Sequence, residues 1–172
     1  IKPDEANPLP NLAKDWEWSS DRKSLTMNLI EGARWSDGDI FDTEDIDFWW
    51  NDNVQDANVA SRLPKDALGA GTTLEILGPY SFKFNFDEPK GNAVLAQLAY
   101  MGGAPGPSHV MKPLHPAHNS DATYESYANG MPASVLPIVT LGAYVPVVHK
   151  VDELMVMKRN PYYWKVDEEC NQ

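Results

Sequence analysis

An α+β fold, dominated by antiparallel sheet with a few packed helices, follows from three features of the sequence. Apolar and polar residues alternate with period two in Leu25-Thr26-Met27-Asn28-Leu29. They alternate again at Leu74, Ile76, Tyr80, Phe82, Phe84 and Phe86, all at even positions. This pattern marks strands with one buried face. After Asp42 the spacing changes: Ile46, Trp49, Trp50 and Val54 stand at i, i+3, i+4 and i+8, one apolar stripe on a helix. Strands and helices do not follow one another in a βαβ rhythm, which argues against a doubly wound α/β fold.

The elements follow in order. Pro3, Pro8 and Pro10 keep the first eleven residues extended. Trp16 and Trp18 alternate with Asp15 and Glu17 as a short strand, and the polar segment 19–23 turns it into the strand Leu25 to Leu29, a hairpin. Glu31-Gly32 turns again, and Ala33-Arg34-Trp35 reads as a brief third strand. Ser36-Asp37-Gly38-Asp39 is a turn, because Asp side chains bond nearby amides and Gly accepts positive φ. A helix is predicted from Thr43 to about Asp56. Asp42 is its N-cap, and Asp45 completes a capping box with Asp in place of the usual Glu. Residues 56–73 are turn-rich. Leu74 to Leu77 and Tyr80 to Phe86 are strands meeting at Gly78-Pro79. Ala93 to Met101 is a short helix or a buried apolar run. Gly102 to Pro116 holds three glycines and four prolines and is predicted as loop. A helix capped by Asp121 runs to Asn129, with Tyr124, Tyr127 and Ala128 inward and Gly130 as its stop. Pro137 and Pro146 break Val135 to Val148 into edge or irregular strands. Leu154 to Met157 is a last strand, followed by a loop from Arg159 to Trp164.

Charge narrows the function. Asp and Glu number 25 against 14 Lys and Arg, a formal charge of -11. That composition makes nucleic acid an unsuitable partner, since phosphate binding needs clustered cations. No apolar run approaches the roughly 20 residues that span a bilayer. Cys170 is alone, so an intrachain disulfide and thiolate clusters are excluded.

Catalytic patterns are missing. No Gly-x-Ser-x-Gly elbow and no phosphate-cradling Gly-x-x-x-x-Gly-Lys loop occurs. Residues 36–56 carry eight carboxylates without Lys or Arg. Calcium would suit such oxygens, but Gly38 stands in the wrong place for an EF-hand, and a capped, solvated helix face is the preferred reading. His109, His115 and His118 lie within ten residues. His115-Pro116-Ala117-His118 has a spacing that some metal sites use, although the proline context orients neither ring.

Two blocks carry a resemblance. Leu12-Ala13-Lys14-Asp15-Trp16-Glu17, the strand Leu25 to Leu29, and Glu31-Gly32-Ala33-Arg34-Trp35-Ser36-Asp37-Gly38-Asp39 with Phe41 and Glu44-Asp45-Ile46 form the first. Lys158-Arg159-Asn160-Pro161-Tyr162-Tyr163-Trp164-Lys165-Val166-Asp167 forms the second. Together they resemble the family 5 extracellular solute-binding proteins, which include the peptide-binding receptors of ABC importers. Leu141-Gly142-Ala143-Tyr144, with Ala143 in place of the family's proline, and Pro107-Ser108-His109 are similar to further family segments. Full members are longer and close two lobes around a ligand.

The resemblance implies that residues 1–172 are a single domain or subdomain, a fragment of the first lobe, with the second lobe absent. It implies the substrate-binding component of an ABC importer that captures peptides or a similar small solute. Such a receptor is no enzyme and needs no cofactor or metal. Its partners would be a peptide or oligosaccharide ligand and, through the full-length receptor, a membrane permease. Its place would be periplasmic or extracellular, with a lipid anchor one option for the full-length protein. Trp35, Asp37, Gly38, Asp42, Asn160, Pro161 and Trp164 are expected to be structural. Ligand contact is expected on the glycine- and proline-rich segment from Tyr100 to His109, at Tyr100, Gly102, Gly103 and His109, where glycines allow a ligand near the main chain. Two alternatives come from other classes: a fragment of a secreted metal-dependent hydrolase using His115, His118 and a nearby carboxylate, and a carbohydrate-binding module with an exposed aromatic platform.

Overall fold

A computed structural model describes residues 8–61, 63–100, 105–130, 136–166 and 168–169. The chain divides into two compact units. One comprises Ile1–Glu31 with Asp42–Pro105, the other Gly32–Phe41 with Gly106–Gln172. Both are built of antiparallel sheet and short helices, so the α+β expectation holds.

The first unit is a four-stranded sheet in the order β1-β2-β4-β3, with β1 at Ala13–Trp18, β2 at Ser24–Leu29, β3 at Thr73–Gly78 and β4 at Ser81–Asn85. Every neighbouring pair is antiparallel. Leu25 stands opposite Phe84 and Met27 opposite Phe82, which places the even-numbered apolar residues of β4 and the odd-numbered ones of β2 on one buried face. The other face is polar, and Lys83 Nζ meets Glu75 Oε2 there at 2.7 Å.

Helix α1, Thr43–Phe48, covers the buried face. Asp42 is its N-cap: Oδ1 accepts the Glu44 N–H at 2.8 Å, and Asp45 accepts the Asp42 N–H in return. This is the capping box with Asp in the Glu position. The helix then widens into a π turn over Trp49–Val54, where the Gln55 N–H reaches back five residues to Trp50 O at 2.9 Å. Val54, at i+8, stays buried on the same stripe. Trp50 lands edge-on against Phe84, with ring centroids 5.1 Å apart, so the apolar stripe meets the sheet. Asp42→Ala should lower stability by about 0.5–2 kcal/mol, measured by urea denaturation. Helix α2 follows at Ala93–Tyr100.

The second unit departs from expectation in three places. The proposed third strand at 33–35 is a tight loop: Arg34 makes one isolated bridge to Ile40, and the Trp35 and Phe41 amides donate to Asp39 O and Ala33 O. Within the segment predicted as loop, α3 forms at Ser108–Met111 and a 3-10 turn at Lys112–Leu114. Prolines allow this because Pro107 sits at the N-cap and Pro113 within the first turn of the next helix, where no N–H is needed. Helix α4 spans Tyr124–Gly130, and Asp121 does not cap it. Thr123 and Ser126 do, by exchanging side-chain and backbone hydrogen bonds at 2.9 and 3.0 Å. Tyr127 is buried as expected, whereas Ala128 is exposed. Strands β5, Tyr144–Lys150, and β6, Leu154–Arg159, form an antiparallel hairpin with an irregularity between Pro146 and Val148. Among the described residues, no helix is long and apolar enough to cross a membrane.

Candidate functional site

The second unit gathers three segments that are far apart in sequence: the Ser36–Asp39 turn, the start of α3, and the Asn160–Trp164 loop. The turn closes on itself first. The Gly38 N–H donates to Trp35 O at 2.9 Å, the Asp39 N–H to Asp37 Oδ1 at 3.2 Å, and Arg34 Nη1 to Gly38 O at 2.7 Å. Gly38 has φ +98, in the region that favours glycine. A Cβ there would stand 3.2 Å from the Tyr162 ring. Trp35 is buried edge-on to Phe41 at 5.9 Å and anchors the turn.

His109 then clasps the turn from α3. Its Nε2 lies 2.8 Å from Asp37 Oδ2 and its Nδ1 2.9 Å from Asp39 Oδ2. Carboxylates only accept, so both contacts are hydrogen bonds only when both ring nitrogens carry protons. Partial burial pushes the Asp37 carboxyl up, but the His109 hydrogen bond and the Asp39 N–H outweigh it, and the group rests below its ordinary value of 3.8. A depressed carboxyl contributes stability above its unfolded pKa and loses it as pH falls through the folded one. Asp37 should therefore titrate below 3.8. His109→Gln should move it upward, as read from the Asp37 carboxyl carbon by NMR.

The turn is also tied to the segment before β5. The Ser36 N–H donates to Thr140 O at 2.9 Å, and the Thr140 N–H to Ser36 Oγ at 3.1 Å. Asn160 secures the last loop. It is fully buried. Its N–H donates to Ala143 O at 2.9 Å and its Nδ2 to Gly142 O at 2.8 Å, and its Oδ1 accepts the Tyr162 N–H at 2.9 Å. Pro161 follows at the surface, and the Trp164 ring lies 6.3 Å from Tyr163 with Lys165 Nζ 4.8 Å above it.

His115 is buried and makes edge-on contacts with Tyr124 and Tyr127, at 5.8 and 4.7 Å. Its Nδ1 accepts the Ala117 N–H at 3.1 Å. Of the four expected ligand contacts, His109 sits at the start of α3 with both ring nitrogens facing carboxylates. Tyr100 ends α2, while Gly102 and Gly103 lie outside the described residues. The His109 clasp spans seventy-two residues and had no local signal in the sequence.

This arrangement is a scaffold of turns held by long-range polar contacts, and the family to which it belongs is one of receptors. Residues 7–170 match the family of bacterial extracellular solute-binding proteins, family 5, and the chain belongs to it. The chain is 46% identical to the periplasmic alpha-galactoside-binding protein of Rhizobium meliloti, covering 100% of this chain and 25% of that protein. It is 27% identical to the periplasmic oligopeptide-binding protein OppA of Salmonella typhimurium, over 93% of this chain and 29% of that one. Among solved structures, it superposes with a TM-score of 0.90 and 43% identity on the periplasmic binding protein MelB of Agrobacterium fabrum, determined in complex with stachyose. That match covers 96% of this chain and 25% of MelB. The chain thus spans about a quarter of the length of these relatives. They support neither the hydrolase reading nor the carbohydrate-module reading.

Proposed function

We propose that the chain is part of the first lobe of the substrate-binding component of an ABC importer, working outside the cytoplasmic membrane. Its solute is an oligosaccharide of the α-galactoside type, not a peptide. The observation that carries this is the gap in identity. The chain is 46% and 43% identical to proteins named for an α-galactoside and solved with stachyose, but 27% identical to the oligopeptide-binding OppA of Salmonella typhimurium. The reading needs no catalytic group, cofactor or metal, only a stable scaffold and two lobes that close. Delivery to a membrane permease would follow from the same reading. Ligand contact from this chain is placed on the segment Tyr100 to His109, because binding residues concentrate on loops held by a rigid scaffold.

Calorimetric titration of the full-length receptor tests it. Stachyose should bind and a mixed tripeptide pool should not, and Tyr100→Ala should weaken sugar binding at least tenfold with the fold intact. Peptide binding without sugar binding would reverse the assignment. Unchanged affinity in Tyr100→Ala would remove that segment from the site.

A further inference from the structure

The Ser36–Asp39 turn carries a chemical hazard that its own geometry requires. Asp37-Gly38 is the only Asp-Gly pair in the chain. In such a pair the glycine nitrogen can attack the aspartate side-chain carboxyl carbon, because no Cβ on the second residue hinders the approach. A C–N bond forms, and the carboxyl O–H group leaves as water with the amide proton, giving a cyclic succinimide. Water then opens the ring at either carbonyl. Opening at the main-chain carbonyl leaves isoaspartate, in which the main chain runs through the former side-chain carbon. Water is the only other reactant. Neither residue of the pair is replaceable here. Gly38 has φ +98, and a Cβ on it would stand 3.2 Å from the Tyr162 ring. Asp37 Oδ1 closes the turn by accepting the Asp39 N–H at 3.2 Å. The Asp37 side chain is 37% exposed, so water reaches it.

We infer that Asp37-Gly38 is a latent isoaspartate site and that the His109 clasp keeps it closed. The attack requires the Gly38 nitrogen to give up its proton and the Asp37 carboxyl carbon to turn toward it. Both are opposed. The Gly38 N–H is held by Trp35 O at 2.9 Å. The two carboxyl oxygens are fastened on different sides, Oδ2 by His109 Nε2 at 2.8 Å and Oδ1 by the Asp39 N–H. His109 is itself held from its other nitrogen by Asp39 Oδ2 at 2.9 Å, so it cannot swing away without breaking a second contact. The ionised carboxylate is also a poor electrophile. Partial burial works against that form, but the bonds from His109 and the Asp39 N–H outweigh it and keep Asp37 ionised. Of these restraints, the one from His109 comes from outside the turn, from the start of α3, seventy-two residues away. Isoaspartate would lengthen the main chain by one carbon and shorten the side chain by one, so the turn could no longer present its carboxylate to His109.

The test incubates the full-length receptor at neutral pH beside a synthetic peptide of residues 34–41. Isoaspartate at residue 37 is counted by mass spectrometry that separates the two isomers. The receptor should accumulate it at least about tenfold more slowly than the peptide, and His109→Ala should bring the rate within about threefold of the peptide. His109→Gln, which leaves one neutral donor, should fall between the two. Amide exchange across β5 and β6 is the control for the rest of the unit and should be unchanged. A receptor that isomerises as fast as the peptide would overturn the inference. So would a His109→Ala rate equal to that of the unsubstituted receptor, which would assign the protection to the turn's own backbone. Acceleration accompanied by faster exchange in β5 and β6 would overturn it too, since general loosening would then set the rate. If His109→Ala does not fold, His109→Gln decides by the same outcomes. No readout involves a sugar, so loss of the α-galactoside assignment and loss of this inference are separately visible.

Discussion

Asn160→Ala is expected to lower the stability of the chain by about 2–4 kcal/mol, as each buried polar group left without a partner costs about 1–3 kcal/mol. The residue is fully buried and its side chain works in both directions, with Nδ2 donating to Gly142 O and Oδ1 accepting the Tyr162 N–H. Alanine removes both contacts and leaves the Gly142 carbonyl and the Tyr162 N–H without the side chain that paired them. The backbone bond from the Asn160 N–H to Ala143 O remains, so the loop should loosen, not unravel. Asn160→Asp separates the two contributions. It keeps an acceptor for Tyr162 but turns a carboxylate toward the Gly142 carbonyl, so it should be destabilising and worse at neutral pH than in acid. Urea denaturation of both variants measures this. A loss under about 0.5 kcal/mol for alanine, the size of an ordinary surface substitution, would show that Asn160 does not hold the loop.

Local chemistry was legible in the sequence wherever one residue's environment is made by its near neighbours. Period-two alternation gave Leu25 and Met27 one buried face of their strand and Phe82 and Phe84 one of theirs, though not that the two strands pair, and the capping box at Asp42 and Asp45 was readable because its partners are three residues apart. The π turn was not readable, since an i+8 apolar position fits a plain helical stripe about as well. Asp121 reads as a cap because Asp is a good one, but Thr123 and Ser126 satisfy each other's amides instead. The candidate site was legible only as a set of motifs. Why Asp37, His109 and Asn160 belong together depends on contacts across tens of residues, as in the bonds from Ser36 to Thr140 and from His109 to Asp37. No periodicity encodes such contacts. The apolar run Leu154 to Met157 was legible as a strand, but its exposure on both faces was not.

Phe84→Ala should have the largest effect of any single change in the first unit, a loss of about 3–5 kcal/mol. Phe84 is fully buried at the centre of the sheet, opposite Leu25 on β2 and Leu74 on β3. Trp50 packs edge-on against it at 5.1 Å, Phe82 lies at 5.6 Å and Phe86 at 6.5 Å. Truncation leaves a cavity walled by large rings, which cannot collapse around it without leaving their own rotamers. Phe84→Leu keeps much of the volume and should cost less, about 1–2 kcal/mol. The neighbour Lys83 supplies the control. It points to the opposite face and pairs with Glu75 across half-exposed surface. Lys83→Ala should therefore cost no more than about 1 kcal/mol, the range of an exposed ion pair. Because side chains alternate faces along a strand, a pairing slipped by one residue would exchange the two environments. A large loss at Lys83 with a small one at Phe84, measured in the same denaturation series, would overturn the register of β4.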